Sequence, residues 1–127
     1  MERTLKIFIL DSGAKPFFPD TSKIGLQVLL ENIAKEEEIP TTIRFSRKKD
    51  VKSLPRDYDG YFIHLSDAFR ESVIDLREKQ SWSKVYGLRG GGQSSEYQEY
   101  FDSVYHHFTM WDARKALREI KEIYSKD

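Results

Sequence analysis

Three short polar stretches hold the residues whose types could do chemistry, and each follows an apolar run. Asp11, Ser12 and Gly13 come after "LKIFIL", His64, Ser66 and Asp67 close "YFIHLSD", and Arg89 with Gly90, Gly91 and Gly92 follows "KVYGL". Ser12, His64 and Asp67 are the residue types of a nucleophilic triad: a hydroxyl, a base and a carboxylate to orient it. Against that reading, no G-x-S-x-G elbow surrounds Ser12, and two of the three residues come from one short loop. Asp11, His64 and Asp67 offer one imidazole and two carboxylates, a set that suits several divalent ions, and no particular metal is assigned. "GLRGGGQSSEY" has the features of an anion site. Its glycines admit close backbone approach, a following helix offers free N–H groups, and Arg89 adds a planar fork for phosphate or carboxylate. It matches neither the Walker loop nor the dinucleotide fingerprint, so a plain turn fits the same residues. Each polar residue also has a simpler role, since loops are polar and Ser66 fits the N-cap of the next helix.

These residues meet only if the elements bring them together. "LKIFIL", "YFIHL" and "KVYGL" are nearly continuous apolar runs, as expected for strands covered on both faces. "TTIRFS" alternates, with Ile43 and Phe45 on one side, and "VYHHFTM" (Val104 to Met110) is rich in strand formers; both read as edges. Leu26, Leu29, Leu30 and Ile33 mark one helix face in a segment from Thr21 that Pro40 stops. Phe69, Val73 and Leu76 mark a second helix. Ser95 and Gln98 fit a capping box for a third, carrying Tyr97, Tyr100, Phe101 and Val104. Asp112 fits the cap of a last helix with Ala113, Leu117, Ile120 and Tyr124 inside. The order is βαββαβαβα, or βαβαβαβαβα if "RKKDVKSLPRD" contains a helical turn. Such alternation indicates one domain over residues 1–127, a flavodoxin-like, doubly wound parallel sheet of five strands in order 2-1-3-4-5 with helices on both faces. Its ligand crevice lies beyond the carboxyl ends of the strands, where the three polar stretches converge. A competing period puts Tyr97, Phe101, Val104, Phe108 and Trp111 on one helical face, which would remove the last strand.

Bulk composition narrows the function classes. The 127 residues carry 21 basic and 21 acidic side chains, and this balance argues against a nucleic-acid binder or a polybasic membrane protein. The run Arg44, Arg47, Lys48, Lys49, Lys52 and Arg56 is locally basic, and in a neutral chain it reads first as a solvated edge. With no cysteine there is no disulfide, thiolate metal site or Cys nucleophile. No apolar run is long enough to span a bilayer, and Met1 leads at once into charged residues, so a cytoplasmic location is expected. His106 and His107, neighbours on the last strand, would point to opposite faces, which disfavours joint ligation of a metal.

In length, element order and local texture the chain resembles the receiver domains of two-component response regulators. "KIFILDS" is similar to the family's first strand, which ends in metal-binding acids, with Asp11 matching one of them. "YDGYFIH" is similar to the segment that ends in the phosphoacceptor aspartate, and "HFTMWDARKALREI" resembles the last strand and helix. The departures fall on the chemistry. His64 stands at the acceptor position, Arg89 near the switch Ser/Thr, and Met110 near the essential Lys, whose usual Pro is missing. A shifted register would make Asp67 the acceptor, at the cost of a strand three residues longer. The resemblance implies a pseudo-receiver, a signalling or protein-interaction module without phosphotransfer or cofactor, more a binding protein than an enzyme. Its partner would be another protein or a second copy of itself. In that family the output face is formed by the fourth helix, fifth strand and fifth helix, and here it would carry Tyr97, Tyr100, Tyr105 and Trp111. The alternative is a small-molecule domain or enzyme binding an anionic ligand at Arg89 and Gly90 to Gly92.

Overall fold

In a computed structural model the described residues are 4–13, 25–88, 98–105 and 108–125. Five strands, β1 (Leu5–Leu10), β2 (Thr41–Ser46), β3 (Gly60–His64), β4 (Lys84–Leu88) and β5 (Ser103–Tyr105), form one sheet in the order β2-β1-β3-β4-β5. Every neighbouring pair is parallel. Three α-helices accompany them: α1 (Gly25–Glu36), α2 (Arg70–Lys79) and α3 (Met110–Ser125).

The strand alternation sorts side chains into two cores, one on each face. Leu5, Ile7, Ile9, Phe62 and Tyr86 meet Leu30 and Ile33 of α1 and Ala113, Ala116, Leu117 and Ile120 of α3. Phe8, Leu10, Tyr61, Ile63 and Val85 point the other way, to Val73 and Leu76 of α2. Helices therefore cover both faces, and β1, β3 and β4 are apolar throughout because each buries both sets of side chains. Each fully buried Leu, Ile or Phe contributes about 1.5–3 kcal/mol. Gly60 admits the closest approach of α3: a Cβ there would collide with the Ile120 side chain.

The helix ends follow local chemistry. After α1, Glu38 adopts φ 56°, Ile39 N–H donates to the Ala34 carbonyl at 2.8 Å and Glu38 N–H to that of Lys35 at 3.2 Å. This is a Schellman closure with Glu in the left-handed position where glycine is usual. At the start of α3, Thr109 and Asp112 cap each other: Thr109 N–H donates to Asp112 Oδ2 at 2.9 Å, and Asp112 N–H to Thr109 Oγ1 at 3.2 Å. The cap is thus Thr109, with Asp112 as its reciprocal partner, one turn earlier than the sequence pattern places it.

No helix forms over "RKKDVKSLPRD", as in the first of the two element orders; the irregular crossover is tied down by the Val51–Ala68 bridge, by Asp57 N–H donating to Gln80 Oε1 and by the Tyr61 hydroxyl donating to the Pro55 carbonyl. Other local expectations are corrected. Between β4 and β5 the described residues contain only a 3₁₀ turn, Gln98–Tyr100, because Phe101 and Asp102 turn directly into the edge strand. β5 spans three residues, not the seven from Val104 to Met110, and Met110 already opens α3. Ser66 is not the cap of α2; Phe69 takes that position in extended backbone, with no side-chain cap. Tyr97, Ser95, His106 and His107 lie outside the described residues.

Candidate functional site

The crevice opens where β1 and β3, neighbours in the sheet, send their chains to different sides. The β1 strand ends at Leu10, so Asp11, Ser12 and Gly13 form the first turn beyond it. Asp11 N–H reaches the Ser46 carbonyl at 3.1 Å, and the Asp11 carboxylate accepts Gly13 N–H at 3.1 Å, closing a short Asx turn. β3 ends at His64, and Leu65 N–H still donates to the Leu88 carbonyl at 3.0 Å, so the imidazole is carried on firmly anchored backbone. The Ser66 hydroxyl lies 2.8 Å from His64 Nδ1, which turns the ring back onto its own loop.

Asp67 is the best-anchored group in the crevice. Its side chain is only 3% exposed, and it accepts two bonds from one residue: Ser12 N–H at 2.7 Å and Ser12 Oγ–H at 2.6 Å. Its backbone also accepts Val51 N–H at 2.8 Å and donates to the His64 carbonyl at 3.0 Å. Bonds of this charge-assisted kind contribute about 1.5–3 kcal/mol each when solvent is excluded.

This wiring bears on two of the chemistries that the sequence left open. In a hydrolytic triad the imidazole bonds the hydroxyl and the carboxylate bonds the imidazole. Here the carboxylate accepts the hydroxyl directly, and the His64 Nδ1 faces Ser66, so the Ser–His–Asp order of a hydrolytic triad is not assembled. Asp67 spends both oxygens on Ser12. Among the described residues no three His, Asp or Glu side chains converge as a metal site, so Asp11, His64 and Asp67 do not come together as a set of three ligands. Asp11, Ser12, Gly13, His64, Ser66 and Asp67 do come together at the same end of the sheet. Arg89, Gly90, Gly91 and Gly92, which carry the anion-site reading, lie outside the described residues.

The aromatic residues assigned to an output face separate. Tyr100 packs into the α2 core, with the Arg70 guanidinium 5.7 Å from its ring centre. Tyr105 packs on the opposite face, 4.9 Å from the Phe108 ring and 6.0 Å from Tyr86, and burial raises its hydroxyl pKa above the ordinary tyrosine value. Of those among the described residues, only Trp111 is freely presented: it is 70% exposed, beside Met110 at 52%, with Arg114 5.7 Å over its ring.

The sequence placed Ser12 and Asp67 at one end of the sheet but gave no sign that they bond directly. The two are 55 positions apart, and each looks like an ordinary loop residue by itself.

No protein-family model matches the chain, and no curated protein matches it by sequence. Solved structures match it in fold. The response regulator receiver domain protein (CheY-like) from Methanospirillum hungatei JF-1 superposes with a TM-score of 0.63 at 12% identity, over 98% of this chain and 100% of that one. The receiver domain protein from Clostridium thermocellum gives 0.59 at 13% identity, over 96% and 98%. NtrX from Brucella abortus, solved in complex with ATP, gives 0.58 at 11% identity, over 95% of this chain and 28% of that one. The chain has the fold of response regulator receiver domains, and the likeness at these identities is one of fold.

Proposed function

We propose that this receiver-type fold serves as a signalling module that works through protein contacts and does not carry an acyl phosphate. The observation that carries the reading is the wiring of the crevice. The residue closing β3 is His64, held by Ser66, while the nearest carboxylate in its loop, Asp67, is buried and bonded twice to Ser12. Acyl phosphate formation needs an accessible carboxylate oxygen as nucleophile and a metal or cation to meet the incoming phosphoryl charge. Asp67 offers no uncommitted oxygen, and Ser12 fills the place where a second acid would help hold Mg²⁺.

The test is intact-mass spectrometry after incubation with acetyl phosphate and Mg²⁺. The expected spectrum is unchanged. A phosphoryl adduct that disappears in Asp67→Asn would overturn the reading and make Asp67 the acceptor. One that disappears only in His64→Gln would point to phosphohistidine chemistry instead.

The surface at Trp111 and Met110 is the part of the proposed output face that is open to a partner, a second copy of the chain included. Trp111→Ala should reduce self-association in sedimentation while leaving thermal stability nearly unchanged, because a side chain this exposed contributes little to its own core. Unfolding of the variant with unaltered association would remove Trp111 from the interface.

A further inference from the structure

The crossover between β2 and β3 leaves a feature that the crevice does not use. With no helix over residues 47–59, the α2 face of the sheet is bare beside β2, and a groove of about 340 Å³ opens there. Its lining includes the buried Phe8, Leu10 and Leu54, the half-buried Val51, and the exposed Arg44 and Lys48. Arg44 sits opposite Phe8 in the sheet register, so its side chain rises from the strand on the groove side. β2 is an edge strand, and among the described residues no other strand pairs with its outer side.

The charge here is lopsided. Residues 44–56 contain six basic side chains (Arg44, Arg47, Lys48, Lys49, Lys52, Arg56) and one acid (Asp50), a net of five positive charges in a chain whose total is zero. Arg56 is paired with Asp75, and Arg47 lies 5.3 Å over the Phe45 ring. Among the described residues Arg44, Lys48, Lys49 and Lys52 meet no carboxylate in an ion pair, whereas Arg77, Lys79, Arg114 and Arg118 all do.

We infer that this edge is a docking site for an extended acidic segment of a partner protein, added alongside β2 with an apolar side chain in the groove and its carboxylates on the lysine and arginine rim. An open strand edge supplies backbone pairing, alternate side chains supply selectivity, and the positive rim selects charge. A nucleic acid fits less well. It would use the cations but not the strand edge, and of the two aromatic rings lining the groove Phe8 is buried and Phe45 is covered by Arg47. The inference shares with the proposed function only the premise of a protein-binding module, and it uses a surface remote from Trp111 in sequence and element.

The test is a titration of the isotope-labelled full chain with a ten-residue peptide of alternating Glu and Val, followed by amide shifts. Two comparison ligands are used: the same peptide with prolines at alternate positions, and a single-stranded oligonucleotide of equal charge. The expected result is shifts confined to β2 and residues 47–55, with binding weakened at least about tenfold by the prolines and about tenfold by Arg44→Glu with Lys48→Glu. Because both substituted residues are exposed, the variant's melting temperature should stay within a few degrees, and if it does not, the proline peptide decides alone. Equal binding of the proline peptide or the oligonucleotide, shifts centred elsewhere, or no binding at millimolar peptide in low salt would each overturn the inference. Loss of phosphotransfer chemistry is measured separately, so failure here leaves the crevice reading standing.

Discussion

Two buried aspartates flank β3, and both reach across to β1, one at each end. Asp59, 2% exposed, accepts Lys6 N–H at 2.7 Å where β1 begins, and returns a bond from its own N–H to the Lys6 carbonyl at 2.7 Å. Asp67, 3% exposed, does the corresponding work past the far end by accepting both donors of Ser12. One lies at the amino end of the sheet, where no ligand crevice is expected; the other lies in the crevice itself. Position alone makes Asp67 look catalytic and Asp59 structural. Their bonding shows the same device twice: a carboxylate that replaces water on backbone donors and fixes the register of the central pair of strands.

The largest effect should come from the amino end. Asp59→Ala leaves the part-buried Lys6 N–H without its acceptor and should cost about 3 kcal/mol in urea unfolding. A loss under about 1 kcal/mol would mean that water reaches Lys6 and that the symmetry of the two clasps is superficial.

Asp67→Ala should cost about 2 kcal/mol, less because Ser12 lies in a partly exposed turn that water can enter. A double-mutant cycle with Ser12→Ala should give a coupling of about 1 kcal/mol. If Asp67→Ala instead stabilised the fold, the crevice carboxylate would be a strained functional group and the comparison would break.

Tyr61 sharpens the contrast through pH. It lies at the amino end, where its hydroxyl donates to the Pro55 carbonyl at 2.7 Å and accepts from Gln80 Nε2 at 3.2 Å. Burial raises its pKa above the ordinary value of 10.0. The folded state therefore holds the phenolic proton more tightly than the unfolded chain does. That stability is fully present below pH 10.0 and is lost as pH rises through the raised folded value. Tyr61→Phe should cost about 1 kcal/mol at neutral pH and flatten part of the alkaline loss in urea midpoints. An unchanged alkaline slope would assign that loss to Tyr86 and Tyr105, whose hydroxyls burial also raises.

The smallest effect sets the baseline. Arg118, well exposed, reaches Glu37 at 2.7 Å between α3 and the end of α1. Arg118→Ala should change stability by no more than about 0.5 kcal/mol, since a solvated ion pair gains little over its hydrated parts. A cost equal to that of Asp67→Ala would remove the distinction between clasp and surface contact.

Much of the fold was written in local pattern. "LKIFIL", "TTIRFS" and "KVYGL" give β1, β2 and β4 at the expected residues, because a strand buried on two faces and one exposed on one face have different side-chain periods. The same difference put β2 at an edge, and its polar groove-side residues, Thr42 and Arg44, are exposed because no helix covers them. The stripe Ala113, Leu117, Ile120 is buried as its spacing requires. The end of the chain was less legible: Val104, Phe108 and Trp111 fit two periods at once, and the structure puts Val104 in β5, Trp111 in α3 and Phe108 between them.

By itself, then, the sequence determined the four strands β1 to β4, three helices, the order of the sheet, and that Asp11, Ser12, His64 and Asp67 share its carboxyl end, since most of this follows from periodicity along a few consecutive residues. Only the tertiary structure decided what those polar residues do. Ser66 could cap a helix or hold an imidazole, and it turns to His64 because α2 begins later than its pattern suggests. Ser12 could be a nucleophile or a tether. It donates to Asp67 because pairing β1 with β3 sets the two together, and a buried carboxylate takes the nearest donors that water no longer supplies.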